Sequence, residues 1–286
     1  MTGSGATAGL GLLSAASWGG SDFAGGMGAR RGPALLVTIS GHAFSFLALL
    51  ALCLSLHLAL PGGNSLLYAA AGGFEGALAL AIFYRALAMG AMGLTAAITG
   101  LLTALVPVVF SAFRYGLPTP LTGVGLAAGC AAIWLITHQP GSYGAGTQAK
   151  ALLYGAVAGA GFGSQLILFK FAGAGGVLWV MTAARAAGVA AVMLVLLAVP
   201  AKGVAGRSFW LIGILAGCLD TVGNLLYLRA SQLGRLDVAA VICSLYPAFT
   251  ILLAAVVLHE RPTRRQIAGM AVALAAVVLL SLSGLG

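Results

Sequence analysis

Residues 33–58 read Pro33-Ala-Leu-Leu-Val-Thr-Ile-Ser-Gly-His-Ala-Phe-Ser-Phe-Leu-Ala-Leu-Leu-Ala-Leu-Cys-Leu-Ser-Leu-His-Leu58, a stretch without one Asp, Glu, Lys or Arg. An α-helix rises about 1.5 Å per residue, so roughly 20 apolar residues cross the hydrocarbon core of a bilayer. Within that core each backbone N–H and C=O needs a partner inside the chain, which leaves helices and closed barrels as the spanning structures. The stretch reads as a transmembrane helix.

The same rule, carried outward, places spans near 6–27, 33–58, 65–89, 92–113, 120–137, 151–172, 176–199, 208–232, 236–258 and 265–283. Ten helices result, an all-α integral membrane protein. Stop signals separate them: Arg30-Arg31-Gly32-Pro33, Leu60-Pro61-Gly62-Gly63-Asn64, Pro118-Thr119-Pro120, Pro140-Gly141-Ser142 and Glu260-Arg261-Pro262. The longest connection, about residues 138–150, is polar and glycine-rich. Composition agrees, since 61% of residues are hydrophobic and 7% charged, against about a quarter charged in soluble domains. The 43 glycines suit close helix packing in lipid, as at Gly72/Gly76, Gly159/Gly163 and Gly213/Gly217.

A net charge of +9 would suggest nucleic acid in a soluble protein. Here the basic residues fall mostly in short connections, where they anchor helices, and no nucleic-acid partner is expected. Cys53, Cys130, Cys218 and Cys243 lie in apolar stretches without a Cys-x-x-Cys pair or clustered His, so they read as core residues and no metal site is expected. The N-terminal segment lacks a basic stretch and contains Trp18, Ser21 and Asp22, which predicts a retained first span rather than a cleaved leader.

Shifting residues 10–142 forward by 144 lays the first half over the second without a gap. Ala, Leu and Gly match at many shifts in such a chain, so the rarer residues carry the argument. Arg85/Arg229, Gly90/Gly234, Pro118/Pro262, Thr119/Thr263 and Gly125/Gly269 keep one offset, and Trp18-Gly19 overlays Phe162-Gly163. Two five-helix repeats follow, residues 1–143 and 144–286. An odd number of crossings inserts the copies upside down relative to each other, the plan of many secondary transporters. With the N-terminus outside, the cytoplasmic connections hold Arg30, Arg31, Arg85, Lys150, Lys202, Arg207, Arg261, Arg264 and Arg265, against Arg114, Lys170, Arg229 and Arg235 opposite. Positive-inside counting then favours external termini.

The run Tyr227-Leu-Arg-Ala-Ser-Gln-Leu-Gly234, with Ser244-Leu-Tyr-Pro247, His259-Glu-Arg-Pro262 and Gln266-Ile-Ala-Gly269, resembles the second repeat of ten-helix EamA-type members of the drug/metabolite transporter superfamily. The first repeat is similar through Ser17-Trp-Gly19, Tyr84-Arg-Ala-Leu87 and Pro107. Gly116 departs from the pattern in the place of Glu260, and Pro107 lies one turn beyond Thr103, which overlays Pro247. The resemblance implies an exporter of amino acids or related small amphipathic metabolites, several members being proton-driven, in a bacterial inner (cell) membrane. It also implies cytoplasmic termini, against the charge count, and sidedness stays open.

Of five acidic residues, Asp22, Glu75 and Asp220 fall inside apolar spans. An ionised side chain at the bilayer centre costs roughly 2.5–3.5 kcal/mol on insertion scales, so these should face protein or a wet cavity. Asp220 overlays Gly76, the neighbour of Glu75, which puts acids at one depth on two equivalent helices. Trp18 precedes Asp22 by four, and Asn224 and Tyr227 follow Asp220 by four and seven, so each acid shares a face with groups that stack or hydrogen-bond. Gln165 overlays Ser21, and Tyr246 sits beside the ninth-span Pro247. Arg185 is the basic residue in mid-span, suited to pairing with an acid or gripping an anionic substrate group. The expected substrate surface is therefore Trp18, Ser21, Asp22, Glu75, Gln165, Arg185, Asp220, Asn224, Tyr227 and Tyr246; the alternative is a set of interhelical hydrogen bonds that only hold the bundle. His42 reads as a proton relay or a hydrogen-bonded core residue, and Lys170 as a snorkelling side chain.

Glu75 and Asp22 are the candidates for proton coupling, and Pro107 and Pro247 for hinges, with static bends as the alternative. Gly-x-Ser-x-Gly, His-Glu-x-x-His and Gly-Lys-Ser signatures do not occur, and Gly9-Leu-Gly11 lacks the strand of a dinucleotide fingerprint. The expectation is a secondary active transporter working by alternating access, without cofactor, as monomer or homodimer in a lipid bilayer. A passive channel or facilitator is the alternative.

Overall fold

A computed structural model describes residues 3–88, 92–137, 145–173, 176–201, 206–257, 259 and 262–282. Gly90, residues 138–144, Lys202, Glu260 and Arg261, used above, lie outside them. The described residues are helical without a strand: α1 (Gly3–Ala29), α2 (Ala34–Ser55), α3 (Ser65–Ala88), α4 (Met92–Tyr115), α5 (Pro120–Thr137), α6 (Ala145–Ala172), α7 (Val177–Ala198), α8 (Arg207–Leu233), α9 (Leu236–Cys243), α10 (Tyr246–Val257) and α11 (Arg264–Leu282). Every span expected from hydropathy coincides with helix. The 236–258 span is two helices rather than one, interrupted at Ser244–Leu245.

Pro247 explains the interruption. It has no N–H to give to a preceding turn, and as the second residue of α10 it sits where a helix tolerates proline. Pro107 lies inside an uninterrupted α4, so the two prolines are not equivalent. Other ends have local causes too. Thr263 Oγ1 accepts from Gln266 N–H at 3.3 Å while Gln266 Oε1 accepts from Thr263 N–H at 2.8 Å, a capping box that starts α11. Thr119 Oγ1 accepts from Thr122 N–H at 3.3 Å at the start of α5. Gly116, directly after α4, has φ +83°, a left-handed conformation that accounts for glycine where the second half has Glu260.

Among the described residues, seven segments have the length and hydropathy to cross a membrane: Ala34–Ser55, Ser65–Leu87, Ile98–Tyr115, Leu152–Ala172, Val177–Ala198, Arg207–Leu233 and Leu236–Val257. The protein is a multi-span membrane protein. Helix α5 is apolar but short, α1 is diluted by Gly and Ser, and α11 opens on Arg264-Arg265-Gln266. Large apolar side chains such as Leu47, Leu67, Phe113, Leu197 and Val256 are exposed, as expected of a lipid-facing belt, while buried hydroxyls serve neighbouring helices. Ser14, Ser21, Ser45 and Thr99 donate to the carbonyls of Gly223 (2.8 Å), Ala216 (2.9 Å), Gly217 (3.2 Å) and Gly155 (3.1 Å).

Helix α1 packs along α8 and against α9 and α10, and α6 packs along α3 and α4. Helix α2 meets α7 and α8, α3 meets α7, and α5 pairs with α11. Backbones press together where α2 meets α8 and where α3 meets α7: a Cβ placed on Gly217 would fall 2.1 Å from the Cα of Gly41, and one on Gly73 would fall 2.1 Å from the carbonyl oxygen of Ala184. Elsewhere Gly11 faces Ile242 and Gly155 faces Ile98, Gly19 faces Tyr246 and Thr250 while Gly163 faces Leu102 and Val106, and Gly125 faces Leu280 while Gly269 faces Ile136.

Candidate functional site

Six helices meet around a cavity with about 420 Å³ of space free of protein atoms, its open mouth included. Helix α1 contributes Trp18 and Asp22, and α8 contributes Asp220 and Asn224, each pair one turn apart on a single face. Phe162, Gln165 and Leu166 come from α6, Leu80 from α3, Thr103 from α4 and Tyr246 from α10. All lie well inside their helices except Tyr246, which opens α10 at the interruption.

The aromatic wall is built around Trp18. Its ring lies 6.1 Å from Tyr227 at 31° and 6.4 Å from Tyr246 at 88°, the second an edge-to-face contact. The indole rests on Gly223 of α8, where a Cβ would approach Cδ1 to 2.5 Å. Tyr227 is fully buried and anchored by donating to the Leu166 carbonyl at 2.7 Å.

The two wall carboxylates differ. Asp220 Oδ2 pairs with Arg185 NH2 at 2.7 Å, and its Oδ1 accepts from Asn224 Nδ2 at 3.1 Å. Arg185 NH1 reaches His42 Nε2 at 3.0 Å, and His42 Nδ1 lies 3.1 Å from the Thr38 carbonyl. A carbonyl only accepts, so Nδ1 carries the proton and Nε2 accepts from the guanidinium; this network requires a neutral His42. Arg185 and His42 are both buried. Asp22, in contrast, has no hydrogen-bond or ion-pair partner among the described residues. The Asn224 Oδ1 and Tyr246 Oη atoms are also buried without a partner among them.

Of the residues singled out in the sequence, Trp18, Asp22, Gln165, Asp220, Asn224 and Tyr246 converge on this cavity, and four do not line it. Ser21 is turned to the Ala216 carbonyl, a use fixed by the close α1–α8 contact. Tyr227 stands behind Trp18, and Arg185 behind Asp220. Glu75 lies at the α3–α6 seam, where its Oε1 accepts from Ser164 Oγ. Depth alone placed it with Asp220, but it is one position out of register, about 100° around the helix, and so points elsewhere. Leu80, Thr103, Phe162 and Leu166 were not anticipated as wall residues. The signal for three of them was available: Phe162, Leu166 and Leu80 stand 144 positions from Trp18, Asp22 and Asn224.

No group of three or more His, Cys, Asp or Glu able to hold a metal ion occurs among the described residues. Lys170 Nζ donates to the Ser231 carbonyl and, at 3.1 Å, to that of Gly234, so it closes the end of α8 instead of snorkelling.

Residues 149–282 match the EamA-like transporter family. A solved crystal structure of a protein superposes with a TM-score of 0.76 at 18% identity, over 96% of this chain and 96% of that one, a likeness of fold. No curated protein matches the chain.

Proposed function

We propose that this chain, whose residues 149–282 match the EamA-like transporter family, is a secondary active exporter of a small metabolite that works by alternating access around the cavity. That it is a multi-pass membrane transporter of the drug/metabolite superfamily is the premise; solute, direction and mechanism are the proposal. The observation that carries it is Asp22. A carboxylate in mid-membrane is costly unless something compensates it, and this one faces an internal cavity beside an indole with no protein partner among the described residues. A proton and a solute competing for it would couple the flow of one to that of the other.

A division into five-helix repeats, residues 1–143 and 144–286, supports the same reading. Adding 144 to the first residue of a contact and subtracting it from the second turns Gly11–Ile242 into Gly155–Ile98 and Gly125–Leu280 into Gly269–Ile136. The α1–α8 packing likewise exchanges with α6–α3. Such reciprocity supports a two-fold relation between the halves, and with five crossings per repeat the proposed axis would lie in the membrane plane. Rocking one half against the other would expose the cavity to each side in turn, with the α9–α10 interruption at Pro247 and the proline of α4, Pro107, as the bending points. A bacterial inner membrane is the setting proposed.

The experiment is efflux from proteoliposomes under an imposed pH gradient, with amino acids and amines as labelled solutes. Saturable, gradient-driven flux with counterflow, lost in Asp22→Asn, is expected. Flux that neither saturates nor shows counterflow would mean a channel. Full gradient-driven transport by Asp22→Asn would end the coupling proposal.

A further inference from the structure

The charges around the cavity are unequal, and the inequality selects a ligand class. Its wall carries two carboxylates and no Lys, Arg or His among the described residues. Asp220 is already neutralised from behind by Arg185, whose other terminal nitrogen is turned to His42. Asp22 is left as the one wall carboxylate without a partner among the described residues.

We infer that the cavity takes a small organic amine bearing one positive charge and no carboxylate, with its ammonium between the Asp22 carboxylate and the rings of Trp18 and Tyr246. This rests on the transport reading above, since it names the solute class for the same cavity. Each part of the wall contributes to the selection. Trp18 and Tyr246 meet edge to face at 6.4 Å and form an aromatic corner, and a cation within about 6 Å of a ring centroid is attracted by its quadrupole. Asn224 Oδ1, buried and unpartnered, is an acceptor that an N–H donor satisfies. Leu80, Phe162 and Leu166 also line the cavity and add apolar surface that suits a hydrocarbon or aryl portion.

The same wall disfavours an amino acid. A zwitterion brings a carboxylate into a low-dielectric space that already holds Asp22 and Asp220 and presents no free cation to receive it. Like charges brought together there are strongly repelled. A neutral solute leaves the Asp22 charge unanswered.

The test uses the purified full-length chain in detergent and three probes with related skeletons: phenethylamine, phenylalanine and 3-phenylpropionate. Binding is measured by calorimetry and by the rise of the unfolding midpoint, since a ligand of the folded form stabilises it. Phenethylamine is expected to bind at least about tenfold tighter than phenylalanine, the effect of one unfavourable charge contact of about 1.4 kcal/mol, and phenylpropionate not to compete. Asp22→Asn is expected to weaken the amine by a similar factor and Asp22→Glu to retain it. Trp18→Leu, which removes the π face without adding charge, is expected to weaken the amine as well, and it serves if Asp22→Asn does not fold. Equal or tighter binding of phenylalanine, no binding of any probe, or amine binding unchanged in Asp22→Asn or Trp18→Leu would overturn the inference. Flux separates the two readings. Amine binding without flux in vesicles retains the ligand class and removes the transport reading, whereas gradient-driven flux of phenylalanine in place of phenethylamine does the reverse.

Discussion

Arg185 on α7 and Asp220 on α8 form a 2.7 Å ion pair behind the cavity wall, with 4% and 16% of their side-chain surfaces exposed. The pair ties two helices together and cancels one of the two wall carboxylates. Arg185→Ala leaves the half-buried Asp220 without its cation and should lower stability by up to about 3 kcal/mol, read as an earlier thermal unfolding midpoint of the purified protein. The double variant Arg185→Gln/Asp220→Asn, which buries no unpaired charge, should recover most of that loss. A double variant no better than Arg185→Ala would mean that the pair does not hold the fold.

Gly217 and Gly41 press backbone on backbone where α8 crosses α2. Gly217→Ala forces those helices apart and should cost about 1–3 kcal/mol, the usual range for overpacking. Gly9→Ala, where a Cβ would meet nothing within 4 Å, should have little effect. The comparison is made by thermal unfolding in one detergent.

Gly223 is the floor on which the Trp18 indole rests. Gly223→Ala should push the ring off its seat and weaken ligand binding by several-fold, while changing stability less than Gly217→Ala. The reason is that the atom met is on a side chain able to shift rather than on backbone. Calorimetric titration beside a thermal melt separates the two effects.

Glu75 accepts from Ser164 at the α3–α6 seam, away from the cavity wall. Glu75→Gln keeps an oxygen for that bond, so ligand affinity should stay within about twofold of the parent, whereas Asp22→Asn should lose it. A tenfold loss of affinity in Glu75→Gln would bring Glu75 back into the site.

Most of the helical layout was legible because a bilayer imposes one dominant rule, and residues 33–58 obey it without exception. The α9–α10 interruption was marked by Pro247 but its form was not, since proline is compatible with a bend, as at Pro107, or a break. At the site, polar residues in apolar helices pointed to Trp18, Asp22, Asp220 and Asn224. Phe162, Leu166 and Leu80 were legible only through their offset of 144 from Trp18, Asp22 and Asn224, because an apolar side chain facing a cavity has the same hydropathy as one facing lipid. Glu75 and Arg185 show the other limit. Depth in the membrane follows from position along a helix, but which neighbour a side chain meets depends on rotation and packing, and only coordinates supply those.

Trp18 and Phe162 lie 144 positions apart in the sequence, as do Asp22 and Leu166, and all four line the cavity. Two identical five-helix subunits joined as a dimer would carry the acid twice or not at all, and a guest would find two interchangeable poses. On the proposed division into two repeats, a single polypeptide lets the halves diverge, so Asp22 has no acidic equivalent at residue 166 and the proposed amine would take one orientation, its head toward Asp22.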